Sequence, residues 1–222
     1  MQAIGILESI QVGVPQTYPL KGASATWDTS FFRIPVAAPR MVFRTHLDGN
    51  YQADTKHHGL SYQAILFYAA EHYPHWQKEL NNPAINAGGF GENFTVSGIS
   101  EANICAGDIL EIGEAKVQIS VPRYPCWKIA KRWNIENLTD LVAATGRTGW
   151  YCSVLQEGMV QPKIPIYLLE RPYPQWPIAL INDLGHGRFA DIAAAQELLH
   201  CPILQDPWPE IITKKFKNIH LL

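Results

Sequence analysis

Ala115-Lys116-Val117-Gln118-Ile119-Ser120 runs directly into Pro122-Arg123-Tyr124-Pro125-Cys126-Trp127-Lys128. The first stretch reads as a strand. With Ile109 to Ile112 on the far side of Gly113-Glu114, it forms a predicted β-hairpin. The second stretch leaves that hairpin through two prolines, which fix the backbone on either side of Tyr124 and remove two amide donors. A thiol then stands at the mouth of a predicted helix from Trp127 to Trp133, with Arg123, Lys128, Lys131 and Arg132 close in sequence. A helix N-terminus and nearby cations favour thiolate. Cys126 is therefore the candidate for a reactive or metal-binding sulfur, and the alternative is a small buried apolar residue.

Outward from this stretch, the composition bounds the classes. The chain of 222 residues is 47% hydrophobic and 17% charged, enough for a sizeable core and against disorder. A net charge of -2 gives no support to a nucleic-acid or polybasic membrane surface. Cys105, Cys126, Cys152 and Cys201 form no CxxC pair, so a zinc ribbon or thioredoxin motif is absent. Cys105, Cys152 and Cys201 lie in apolar contexts without clustered cations and read as structural. Met1 to Ile10 lacks the basic region and apolar core of a signal peptide, and no apolar run reaches membrane-span length. The expected setting is soluble, reducing and cytoplasmic.

Short strands dominate the first 171 residues. Ala3 to Val12 is predicted as a strand with Ile4, Ile6 and Ile10 on one face, and Gly13 to Gly22 as a loop. Further strands are expected at Phe31 to Val36, with Pro35 marking an edge or break, from Pro39 to Thr45, and at Ala64 to Tyr68. Glu71 to Leu80 reads as an amphipathic helix; its His72 and His75 lack an HExxH signature, which favours a solvated or packed face over a metal site. Gly88-Gly89-Phe90-Gly91-Glu92-Asn93-Phe94 is a bare turn that can approach a phosphate or pterin closely, or simply a tight turn feeding a strand. Leu138 to Ala144 is a short helix ending at Gly146, and Trp150 to Leu155 and Ile166 to Glu170 are strands. Six or more short strands suggest a barrel or sandwich. After Arg171, prolines 172, 174 and 177 form a stiff linker to three helices, Ile178 to Leu184, Phe189 to His200 and Pro209 to Phe216. These helices should pack on one another and on the barrel.

The Cys126 stretch, with Gly91-Glu92-Asn93 and Gly107-Asp108, resembles the MOSC domain, the fold shared with the C-terminal part of molybdenum cofactor sulfurases. Gln52-Ala53-Asp54, His58-Gly59, Tyr68, Glu71-His72-Tyr73, Trp76 and Gly149-Trp150 are similar to the YiiM-type branch. The resemblance implies a mainly β protein. Its mixed β-barrel (MOSC / PK β-barrel-like) would span residues 1–171, with a C-terminal three-helix domain over 172–222. It also implies molybdenum cofactor (molybdopterin) bound through Cys126, and reduction of N-hydroxylated compounds such as 6-hydroxylaminopurine. Pyridoxal phosphate is not expected.

Under that resemblance Arg123, Lys128, Gly91, Glu92 and Asn93 are expected cofactor-binding residues, the cations and bare amides serving the pterin phosphate. Lys128 could equally be a solvated helix residue, and Glu92 and Asn93 ordinary turn residues. His58 is the candidate proton donor, or else a loop histidine bonded to backbone. No nicotinamide or flavin motif is present, so electrons are expected from a reductase protein; a homodimer is a further expectation. The alternative role is a carrier of the cofactor or of persulfide sulfur. Two loops depart from the branch pattern. His46-Leu47-Asp48-Gly49-Asn50 ends in Asn where the branch has Asp. His58-Gly59-Leu60-Ser61-Tyr62-Gln63-Ala64 has Tyr62 and Gln63 where the branch has Asp and a basic residue.

Overall fold

The computed structural model describes residues 2–19, 25–54 and 59–217. In chain order its strands begin with β1 (Ala3–Val12), β2 (Gln16–Pro19), β3 (Thr26–Thr29), β4 (Ile34–Val36) and β5 (Arg40–Val42). After a 3-10 turn at Ser61–Gln63 come β6 (Ile65–Ala69), helix α1 (His72–Glu79) and β7 (Phe94–Ser97). The motif hairpin is β8 (Ile109–Ile112) and β9 (Ala115–Pro122), followed by α2 (Lys128–Trp133) and α3 (Leu138–Thr145). Then follow β10 (Trp150–Gln156), β11 (Gly158–Val160), β12 (Ile164–Glu170), α4 (Ile178–His186), α5 (Ile192–Leu199) and α6 (Trp208–Lys217).

Seven strands close into a barrel in the order β1-β12-β8-β9-β10-β6-β7, with β7 returning to β1 and β4 hanging on β1 as an edge. Neighbouring pairs run antiparallel except β6 and β7, which are parallel. A parallel pair needs a crossover rather than a hairpin, and the chain between them, carrying α1, supplies it. The hairpin alternates as its sequence predicts: Val117 and Ile119 point inward at 0% exposure while Lys116 and Gln118 face outward. Closure matters for function because it brings the ends of β4, β7, β9 and β10 to one rim.

Local readings that depend on weak patterns differ from the structure. In β1 the buried residues are Leu7, Ile10, Gln11 and Val12, whereas Ile6 is 43% exposed. A bulge between Leu7 and Ser9 against β7 shifts the phase of the strand, so no single alternation describes it. Part of the predicted loop after Gly13 is strand: β2 pairs with β3, and Thr17 donates to Asp28 across it at 2.6 Å. That hairpin is mostly exposed on both faces, which erases the usual alternation. The strands expected at Phe31 to Val36 and Pro39 to Thr45 shrink to Ile34–Val36 and Arg40–Val42, and β11, which pairs with β5, carried no signal of its own. Pro35 does sit on an edge strand, where its missing amide costs little.

The helices after Arg171 share the barrel's core. Ile181, Leu184, Leu198, Trp208 and Ile212 belong to one continuous apolar cluster with Val121 and Trp150. The first amides of α4 need partners from outside the helix. Ile178 and Ala179 donate to the carbonyls of Ile104 and Glu101, at 2.9 and 2.8 Å. Trp208 is fully buried and donates its indole N–H to the Pro122 carbonyl at 2.9 Å, tying α6 to the end of β9. A second apolar cluster of Tyr68, Tyr73, Trp76, Phe90, Ile129 and Val142 lies among α1, α2, α3 and the glycine turn.

Candidate active site at Cys126

The end of β9 delivers the thiol to a cleft of about 520 Å³, counting its open mouth. Cys126, Arg123 and Lys128 line it from the motif stretch, and Gly91 and Asn93 from the glycine turn. Arg33, Gln52, Gln63 and Tyr151 complete the wall from elements distant in sequence. The sulfur is therefore not sealed in the core; it is half-buried with open space beside it. Cys105 and Cys152 are buried, burial raises both thiols, and neither lines the cleft.

The cause of the sulfur's environment differs from the sequence expectation. Helix α2 has only six residues and begins after Cys126, and it is the Cys126 carbonyl that meets its amides, accepting from Ile129 at 3.2 Å. Among the nearby cations, Arg123 reaches the sulfur, its Nη2 lying 3.9 Å from Sγ. Lys131 and Arg132 do not line the cleft; Arg132 packs over the rings of Phe32 and Trp133. Arg123 is 4% exposed, donates to the Phe90 carbonyl and lies over the Phe31 ring.

Arg33 is the residue the sequence did not flag. It stands just before the edge strand β4, donates through Nε to the Gly91 carbonyl at 3.0 Å, and bonds Asn50 Oδ1. Desolvation, opposed by Glu92 and Tyr151 and assisted by Arg123, brings its pKa down to about 10, so it remains a cation at neutral pH. Asn50 occupies a position where the resembled branch carries Asp, so Arg33 meets a neutral amide. Among the described residues no carboxylate lies within ion-pair distance of Arg33, Arg123 or Lys128. A cleft with three cations that form no ion pair among the described residues suits an anion.

The glycine turn works differently from the phosphate cradle expected of it. Glu92 is fully buried and faces away from the cleft. It accepts from Gly88 N at 2.6 Å, Phe90 N at 3.2 Å and Thr95 Oγ1 at 2.9 Å, and from the Tyr73 hydroxyl. Gly89 N and Gly91 N bond back to Asn86 O and Gly88 O. The turn's amides are thus engaged internally, and it offers carbonyls, those of Phe90 and Gly91, to the two arginines. Gly91 has φ +80, and a Cβ there would lie 2.7 Å from the Phe31 ring, so the position needs glycine. Asn93 borders the cleft, but its amide bridges Gln11 O and Leu66 N, at 3.2 and 3.3 Å. Glu92 and Asn93 therefore position the wall and do not present free groups to a ligand.

His58 and its neighbour His57 lie outside the described residues. His72 pairs with Glu101 at 2.7 Å, and Glu101 also accepts from Gly149 N at 2.7 Å, so this histidine holds a loop. Asp108 clamps the start of the hairpin: fully buried, it accepts from Cys105 N at 2.9 Å and takes a two-pronged contact from Arg171 at 2.9 and 2.7 Å. Gln63 Oε1 is buried without a hydrogen-bond partner among the described residues. Such an atom in a cleft wall is an acceptor awaiting a ligand or water. Tyr151 lines the same wall; burial, more than the neighbouring charges, raises its phenol pKa and keeps the O–H.

A profile of the MOSC domain matches residues 54–167, and this chain belongs to the MOSC domain family. It is 36% identical to the uncharacterized protein YflK of Bacillus subtilis (strain 168), covering 93% of this chain and 92% of that protein. It is 35% identical to protein YiiM of Escherichia coli (strain K12), over 73% of this chain and 71% of that one. Among solved structures, YiiM from Geobacillus stearothermophilus superposes with a TM-score of 0.78 at 33% identity, covering 95% of this chain and 98% of the other. No helix among the described residues is long and apolar enough to cross a membrane.

Proposed function

We propose that this protein is a molybdenum-cofactor-dependent reductase that converts N-hydroxylated compounds, such as 6-hydroxylaminopurine, to amines. One observation carries the reading: a thiol opens into a cleft under a buried guanidinium, ringed by cations that have no ion-paired carboxylate among the described residues. The donor set fits the group. A soft sulfur suits molybdenum, Arg33, Arg123 and Lys128 suit the pterin phosphate, and the orphaned Gln63 oxygen suits an N–H donor. Among the described residues no cluster of three His, Cys, Asp or Glu could hold a bare ion, so a metal here would arrive with its own organic ligand. A relative named "Reductase" from Gibberella moniliformis is 33% identical over 66% of this chain, which spans 27% of it, and supports the reductive direction.

Bound cofactor supplies two electrons, and with two protons R-NHOH becomes R-NH2 and water. This chain's residues bind and orient. Cys126 would ligate the metal, Arg123 keeps the sulfur's environment electropositive, and Arg33 and Lys128 would hold the phosphate. Tyr151, kept protonated by burial, donates a hydrogen bond to the leaving hydroxyl and gives up its proton reluctantly. The proton is then delivered by His58 or by solvent, and the electrons by a separate reductase protein. Turnover of 6-hydroxylaminopurine by cofactor-loaded protein with an artificial donor tests this. Wild-type rates should exceed those of Cys126→Ala at least a hundredfold, and equal rates would remove the proposal. Asn50, Tyr62 and Gln63, standing where the branch has two acids and a base, favour a second reading as a carrier. Persulfide on Cys126 with no turnover of N-hydroxylated substrate would select it.

A further inference from the structure

A separate cavity opens between the β2–β3 hairpin and α2 and shares no described residue with the Cys126 cleft. It measures about 760 Å³ with its open mouth, inside the range of about 300–1,000 Å³ usual for small-molecule sites. Tyr18, Trp27, Phe32 and Trp133 wall it, and Lys131 and Arg132 supply two cations. Among the described residues no carboxylate lines it. The walls are held in place. Tyr18 stacks on Phe32 at 3.9 Å, Trp27 packs against Trp127 at 5.1 Å, and Trp133 donates its indole N–H to the Gly89 carbonyl at 2.8 Å. The Arg132 guanidinium lies 4.2 Å from the Phe32 ring centre and 5.2 Å from that of Trp133. Its Nε is buried without a hydrogen-bond partner, and the guanidinium forms no ion pair among the described residues. Desolvation lowers its pKa, against the pull of Tyr18 and Glu92. Packing of the hairpin explains why the rings meet. It leaves a partly buried cation unpaired, and such a group calls for an anion.

We infer that this cavity is a second ligand site, for a planar aromatic ring carrying a phosphate and of mononucleotide size. The ring would stack among Trp27, Phe32 and Trp133, and the phosphate would meet Lys131 and Arg132. Aromatic faces accept any flat base, and a guanidinium already set over rings loses little freedom when it binds phosphate. The two features together select the ligand: rings alone would take an uncharged base, and cations alone inorganic phosphate. The site does not depend on the reading of Cys126, and the chain without cofactor carries it intact.

Titration calorimetry of AMP, adenosine and inorganic phosphate into the purified full-length chain without cofactor tests it. AMP should bind saturably, and adenosine and phosphate each at least about tenfold more weakly, since each lacks half of what the cavity recognises. Lys131 is exposed, so Lys131→Glu reverses a charge without disturbing the packing. AMP binding should weaken at least about tenfold in Lys131→Glu and in Arg132→Gln, and should be unchanged in Lys128→Ala, which alters the Cys126 cleft alone. A wild type that does not bind AMP, or one matched in affinity by Lys131→Glu and Arg132→Gln, would overturn the site. AMP binding lost in Lys128→Ala but kept in Lys131→Glu would place the nucleotide in the Cys126 cleft and overturn it equally.

Discussion

The glycine turn from Gly88 to Asn93 divides two regions of opposite character. On one side, two sets of satisfied polar contacts, Glu92 with Tyr73 and Trp76 with Tyr68, lie inside an aromatic cluster. Glu92 takes four donors, and Trp76 donates to the Tyr68 hydroxyl, which donates to the Arg147 carbonyl. On the other side, the Cys126 cleft keeps groups in reserve: among the described residues, three cations without an ion pair and an amide oxygen without a donor. Satisfied buried networks rigidify, whereas unsatisfied groups mark where a ligand completes the bonding. Residues adjacent in sequence, Gly91 and Glu92, fall on opposite sides of this divide.

That contrast can be broken from either side. Glu92→Ala strands two buried amides and two hydroxyls, and should lower stability by about 3 kcal/mol in urea unfolding. Asn50→Asp places a carboxylate against Arg33 and should raise stability by about 1 kcal/mol. The same change should weaken phosphate binding severalfold, because the new carboxylate pairs with a cation of the cleft. Lys128→Ala should shift the unfolding midpoint by less than about 0.5 kcal/mol yet weaken phosphate binding comparably. If Lys128→Ala destabilised as strongly as Glu92→Ala, the division between holding and binding residues would fail.

The sequence was informative where one local pattern settles the matter. The β8–β9 hairpin alternates cleanly around Gly113-Glu114, β6 is a short apolar run, and the prolines after Arg171 precede three amphipathic helices. Strands β2, β3 and β11 were illegible because an exposed or three-residue strand carries no burial rhythm. In the site, Cys126, Arg123 and Lys128 stood out as neighbours on one stretch. Arg33 and Tyr151 did not, since only barrel closure brings them beside the sulfur, and Gln63 stood out only as a departure from the branch pattern. Glu92 carried two readings for another reason. A carboxylate in a glycine-rich turn looks the same in sequence whether it faces a ligand or braces its own amides, and the backbone here turns it inward.

The central claim is that the Cys126 sulfur is the protein's link to a metal. The direct measurement is molybdenum content per chain after expression in a host that makes the cofactor, for wild type beside Cys126→Ser. The account predicts near one molybdenum per chain in the wild type and at least tenfold less in the variant. Equal content in the two proteins, or none in the wild type, would contradict it.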